Sequence, residues 1–273
     1  MSRVPMAGDT AGGPVRYDQD HGVATITLDR AQSMNSLDTE MKEALLAAVR
    51  RAAADSEVRC VVVTGEGRAF CVGQDLREHT ELLASRPLPE VWATVDEHYT
   101  PLAQTLATMP KPVIAAVNGV AAGAGFSITM ACDIRIAADS AGFNTAFTGV
   151  GLSCDTGASW TLPRLVGRAK ALELLWMPRT IGAAEAEALG LVNRVVPAAD
   201  LAAEAGALAG SLAAGPTLAY ASVKQSVAFA ATSSLEMSLR FEGQMMATTG
   251  GSEDHRNAVQ SFVTKSKPTF RGH

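Results

Sequence analysis

The chain has 273 residues, a formal net charge of −5, 47% hydrophobic residues and 5% aromatic residues. That length suits one large domain, or a main domain with a smaller helical appendage, and can bury a core without staples. Nothing in the acidic balance points to nucleic acid or an anionic membrane as the main partner, and four cysteines without a C-x-x-C pair and five histidines without H-E-x-x-H argue against zinc or a disulfide framework.

Residues 1–14 are rich in Gly, Pro, Ala, Thr and Asp, lack an apolar h-region and read as a disordered leader rather than a signal peptide. No apolar run reaches the length of a membrane span, and the expected location is a reducing cytoplasm. Val23 to Leu28 alternates apolar and polar residues and predicts a strand. Leu37 to Ala54 carries Met41, Leu45, Ala48, Val49 and Ala52 at helical spacing, with acids near its start and arginines near its end, as the helix dipole favours. Cys60 to Thr64 is a short apolar run ending at Gly65, the pattern of a buried parallel strand, and Pro112 to Val117 is another. Between them, Phe70 to Leu76 reads as a Gly-containing loop and Leu88 to Thr108 as one helix stopped by Pro110 and Pro112. Gly119 to Ala131 is a Gly/Ala-rich turn running into a helix, Ile134 to Ala137 a strand, and Leu152 to Gly157 a loop carrying Asp155. From Arg168 onward the pattern is helical except for a short strand at Arg194 to Val196. The chain thus divides into an α/β part and a helical tail, without an internal sequence repeat.

Two Gly-centred turns follow buried strands: Ala69 to Leu76, with Gly73, and Asn118 to Phe126, with Gly119, Gly123 and Gly125. Neither fits a dinucleotide fingerprint or a P-loop. Each brings bare backbone N–H groups to the carboxyl edge of a sheet, and the second also opens a helix, where the dipole favours negative charge. Facing one pocket, the two would form an oxyanion hole. Equally, both glycine sets could serve close helix–strand packing, and the spacing alone does not choose.

The first turn resembles the crotonase pattern A-F-x-x-G-x-D, and Lys111 to Gly125 resembles the K-P-v-I-A-A-v-N-G-x-a-x-G-g-G block of the same superfamily. Cys132-Asp133, Pro163 to Gly167 and the stretch Ala186 to Val192 match its later motifs in order, so the resemblance runs from about Val15 to His273. It implies a ClpP/crotonase-like α/β spiral of ββα units over residues 15–200, with residues 201–273 as a C-terminal helical trimerisation region, assembled as a homotrimer or dimer of trimers. It implies an acyl-CoA thioester as substrate and no metal or separate cofactor, the coenzyme A being part of the substrate. By position it makes the backbone N–H groups of Val72 and Ala124 the oxyanion donors. Gln32, Met34, Val72 and Asp75 match positions along the coenzyme A, and Gly73, Gln74, Gly123, Ser127 and Phe147 are further substrate-facing positions. Lys265, in the F-x-x-K of the tail, matches a lysine that contacts coenzyme A phosphate, sometimes across a subunit boundary.

Departures from the family pattern bear on the reaction. Enoyl-CoA hydratases use two glutamates around one water; here their positions hold Ser127 and Phe147, so the matched acid–base pair is absent. Asp155 stands instead in Gly151 to Trp160, which resembles the P-D-x-G-x-x-W form of epoxyphenylacetyl-CoA isomerases and related enoyl-CoA isomerases, with Cys154 replacing the Pro. There the Asp transfers the proton. Apolar neighbours such as Phe126, Phe143, Phe147 and Trp160 are expected to raise its pKa. On residues alone, Asp155 could equally be an N-cap for the helix near Ser159, Asp75 a turn or cap residue, Asp133 a structural residue, and Glu78, Glu81, Glu90 and Glu97 solvated surface. His79 and His98 fall in the same variable segment, where either could reach the substrate. The leading expectation is a double-bond isomerase with Asp155 as acid and base. The alternatives are a hydratase with an atypical acid set, nucleophilic use of Asp155, and a non-catalytic acyl-CoA-binding subunit.

Overall fold

The structure, a computed structural model, describes residues 13–273, so the leader expected at residues 1–14 lies, apart from Gly13 and Pro14, outside the described residues. In chain order come β1 (Val15–Asp20), β2 (Val23–Leu28), α1 (Thr39–Ala54), β3 (Cys60–Gly65), β4 (Ala69–Cys71), α2 (Leu76–Ser85), α3 (Leu88–Thr94), α4 (Thr100–Thr108), β5 (Val113–Val117), β6 (Val120–Ala122) and α5 (Ala124–Ala131). Then follow β7 (Ile134–Ala138), β8 (Gly142–Asn144), α6 (Ala158–Val166), α7 (Arg168–Trp176), β9 (Ile181–Gly182), α8 (Ala183–Ala188), β10 (Arg194–Val196), α9 (Leu201–Ala213), α10 (Thr217–Ala230), α11 (Leu235–Gly250) and α12 (Glu253–Val263).

Three times the chain lays one strand in a large sheet, a short strand in a second sheet and then helix: β3, β4 and α2–α4; β5, β6 and α5; β7, β8 and α6–α7. The large sheet has the order β1-β2-β3-β5-β7-β10 and the small one β4-β6-β8-β9. The unit repeats in backbone topology only, which is why no repeat is visible in the residues. Strands β3 and β5 run parallel, and their apolar residues are buried on both faces, as their unbroken apolar runs demand. Each such Val or Ile contributes about 1.5–3 kcal/mol by leaving water. Helix α9 lies across β3, β5 and β7 with Leu201, Ala205, Ala209 and Ala213 buried, the three alanines being small residues at every fourth position that let it approach the sheet. The separate helical layer therefore begins at α10 rather than at residue 201. Helices α10, α11 and α12 leave Val227, Leu235, Leu239, Met246 and Phe262 exposed.

Some elements differ from the sequence reading. Strand β1 is a polar edge strand, paired antiparallel to β2 through a tight turn at His21 and Gly22, both at positive φ; the turn rather than apolar alternation specifies it. The helix expected over Leu88–Thr108 is broken by a π-turn at Val95–Tyr99, closed by the Thr100 N–H on the Val95 carbonyl. Pro101 explains it, because proline supplies no N–H and its ring crowds the carbonyl one turn back, so the winding must widen.

Candidate active site

The two glycine turns meet. After β4 the chain turns at Gly73 with φ of 85°, and after β6 at Gly123 with φ of 53° and ψ of −124°. Both conformations suit glycine and strain other residues. A Cβ placed on Gly73 would lie 2.9 Å from the Ala122 carbonyl oxygen and 3.2 Å from the Ala124 nitrogen, so the first turn packs directly against the second. One on Gly125 would fall 2.1 Å from the Cys71 carbonyl oxygen, so α5 rests on β4. Neither the Val72 nor the Ala124 N–H has a hydrogen-bond acceptor among the described residues, and Ala124 is the first residue of α5.

The first turn is tied to the chain before α1. The Leu37 N–H donates to the Gly73 carbonyl at 2.8 Å, and the Asp75 N–H donates to the Leu37 carbonyl at 3.1 Å. Asp75 caps α2 through Oδ1, which accepts from the Arg77 and Glu78 N–H groups, while Oδ2 accepts from Ser36 Oγ at 2.9 Å and faces Arg30. Burial pushes this carboxyl up, but the bonds from Ser36, the two N–H groups and Arg30 outweigh it and hold the carboxyl below the usual range.

Asp155 sits in the loop before α6. Its backbone carbonyl accepts from the Ala158 N–H at 3.0 Å, and its Oδ1 accepts from Thr156 Oγ1 at 2.7 Å. Gly157 precedes α6 and no side chain caps that helix, so Asp155 is not an N-cap. Burial raises its pKa, and the Thr156 hydroxyl offsets part of the rise.

One cavity joins these parts. Val72, Gly73 and Gln74 from the first turn, Gly123 and Ala124 from the second, and Asp155 line it together. Phe147, Val150 and Leu152 form one wall; Leu76, His79, Trp92, Thr94, Val95 and Tyr99 form the other. Asp155 is the sole carboxylate among the lining residues. The Tyr99 hydroxyl donates to Gln74 Oε1, and its pKa is pushed well up by burial and then by the Asp155 charge. Such a site offers two unoccupied N–H donors, one protonatable carboxylate and an apolar slot.

Other expected residues lie elsewhere. Ser127 is fully buried and its hydroxyl donates to the Gly123 carbonyl at 3.2 Å, back-bonded inside α5 rather than lining the cavity. Gln32 is exposed and Met34, at φ of 53°, half-buried in the turn after β2; neither they nor Asp75 line the cavity. Lys265 is exposed beyond α12 and is not among the lining residues. Trp160 is half exposed with Arg164 over its ring, and Phe126 and Phe143 are core residues outside the lining, so of the four expected aromatics only Phe147 reaches the cavity. Asp133 accepts from the Val113 N–H and pairs with Lys224, a structural position. His98 lies outside the lining, whereas His79, its ring 5.3 Å from that of Trp92, lines the cavity. Glu78 is partly buried near Lys42, unlike the solvated residue expected. Sequence reasoning missed Trp92, Val95 and Tyr99; their three- and four-residue spacing was the available signal.

Comparisons with known proteins bear on the family and the fold. The family model described as enoyl-CoA hydratase/isomerase matches residues 18–273. A Rhodobacter capsulatus protein named "Probable enoyl-CoA hydratase" is 42% identical over 94% of this chain and 98% of its own. The 1,2-epoxyphenylacetyl-CoA isomerase of Escherichia coli is 40% identical over 92% of this chain and 95% of its own. Among solved structures, an enoyl-CoA hydratase from Bacillus anthracis superposes with a TM-score of 0.89 at 32% identity, covering 95% of this chain and 100% of that one.

Proposed function

The chain belongs to the enoyl-CoA hydratase/isomerase family and has the crotonase fold, and from that premise we propose that it is an enoyl-CoA double-bond isomerase of the single-carboxylate kind. The observation that carries this is the lone carboxylate: Asp155 shares a cavity with the free N–H groups of Val72 and Ala124, and no second acid lines it. The thioester oxygen accepts from both N–H groups, helped by the N-terminal dipole of α5. Charge then builds on that oxygen as the α-proton leaves. Ionised Asp155 takes the proton from C2 of a 3-enoyl thioester, the double bond shifts into conjugation, and the same carboxyl returns the proton at C4. The raised pKa makes Asp155 a better base than a solvated aspartate.

The hydratase name carried by the R. capsulatus relative keeps water addition as a second reading; it would need His79, the imidazole among the lining residues, to serve as the missing acid–base group. We also propose that α10–α12 pair with other copies through their exposed apolar residues to form a trimer, which would let Lys265 reach a neighbour's coenzyme A; sedimentation gives the stoichiometry.

The deciding assay incubates the protein with 3-enoyl-CoA and, separately, 2-enoyl-CoA in heavy water. Isomerisation with deuterium incorporation, lost by about 10²–10⁴-fold in Asp155→Asn, supports the reading. Efficient hydration of 2-enoyl-CoA that Asp155→Asn barely alters refutes it. No turnover of either thioester, with binding intact, favours a non-catalytic acyl-CoA-binding protein.

A further inference from the structure

We infer that Lys42, buried on α1, is a positioning residue that, together with Glu78, fixes the outer wall of the cavity and thereby sets its affinity for the acyl group; the inference rests on the acyl-CoA reading above. Its side chain is 2% exposed, although lysine is among the residues least often buried. Its ammonium meets three elements. It donates to Thr94 Oγ1 at the end of α3 at 2.9 Å, lies 3.9 Å from Glu78 Oε2 on α2, and stands 5.8 Å from the centroid of the Tyr99 ring in the π-turn. Glu78 joins from the other side. Its Oε1 accepts from the Thr39 N–H at 3.0 Å, while Oε2 is buried with no hydrogen-bond donor among the described residues, so its countercharge is Lys42.

These contacts control what the cavity meets. Thr94 lines it, yet its hydroxyl is shared between Lys42 and His98 Nδ1 at 3.1 Å. Tyr99 lines it too, and its hydroxyl is occupied by Gln74. The Thr94 and Tyr99 hydroxyls are thus both engaged by protein partners, which leaves them less free to compete for an acyl chain. A buried ion pair is weak evidence for a role in stability, since apolar residues of equal volume often serve as well. This pair, however, sits where α1 meets α2 and α3, in contact with Thr94 and Tyr99 of the cavity lining. Burial draws the Lys42 pKa down, and Glu78 opposes the shift, as expected of two groups that depend on each other.

The test uses the full chain as wild type, Lys42→Met and the charge-free double variant Lys42→Met with Glu78→Gln. Calorimetry measures binding of free coenzyme A and of hexanoyl-CoA, and steady-state kinetics with a 3-enoyl-CoA separates KM from kcat. In both variants the Kd for hexanoyl-CoA and KM rise about tenfold, the loss of one hydrogen bond to a charged group. Binding of free coenzyme A and kcat stay near wild type. If Lys42→Met fails to fold because Glu78 is left unpaired, the double variant gives the answer. Wild-type affinity for hexanoyl-CoA in the double variant overturns the inference, as does an equal loss for free coenzyme A, which would mark a purely structural role. A wild type that binds neither ligand instead overturns the acyl-CoA reading itself.

Discussion

Replacing Gly73 by alanine tests whether the meeting of the two turns aligns the donors. Alanine at φ of 85° leaves the favoured backbone regions, costing about 1–2 kcal/mol, which is a drop of several degrees in Tm for a chain of this size. The steric demand is more telling. The new Cβ would stand 2.9 Å from the Ala122 carbonyl oxygen where ordinary contact begins at 3.4 Å, so the turns must separate by about 0.5 Å. Both obstructing atoms belong to main chain, and neither can swing away like a side chain. A hydrogen bond of about 2.9 Å stretched by that amount falls outside the useful range. Losing one oxyanion donor costs about 10²–10³ in kcat. The assay is kcat on a 3-enoyl-CoA alongside a thermal melt. A Gly73→Ala variant that melts lower but turns over at the wild-type rate would show that the turns do not align the donors; unchanged melting and turnover would refute the steric reasoning as well.

Two other outcomes follow from the same structure. Because burial raises the Asp155 pKa, the folded chain holds a proton there over a pH window in which the unfolded chain has lost it, so folding stability falls as pH rises through that window. Asp155→Asn removes this cost: melts should show the variant gaining on wild type at neutral pH, with the advantage vanishing below the ordinary aspartate value of about 3.9, while the acid limb of wild-type kcat/KM lies above that value. Gly206, exposed inside α9 with open space where a methyl would stand, should on conversion to alanine stabilise the fold by about 0.5–1 kcal/mol in urea titrations without touching activity.

What could be read in advance follows the range of the forces involved. Helix α1 is written in local periodicity, β3 and β5 in unbroken apolar runs, and the two turns in glycines whose backbone geometry admits little else. Asp155 stands out through its motif, and only the structure separates it from a helix cap. Strand β8 and the two-residue β9 are too short to carry a period, and partners distant in sequence hold them. The segment from Leu76 to Tyr99 is opaque for a related reason. Glu78 reads as surface because the partner that meets it, Lys42, lies on α1, far away in the chain.

The π-turn at Val95–Tyr99 introduces a phase slip into one continuous helical rod. On its far side Leu102, Ala103 and Leu106 are sealed into the core against α1; on its near side Trp92 and Thr94 line the cavity. A straight α-helix would force both faces to keep a common register, so a change of ring or chain at the cavity would be felt in the core. The widened turn breaks that common register. The cavity end can be recut for a different acyl shape while the core end keeps its packing, as a tool takes interchangeable heads on a fixed shaft.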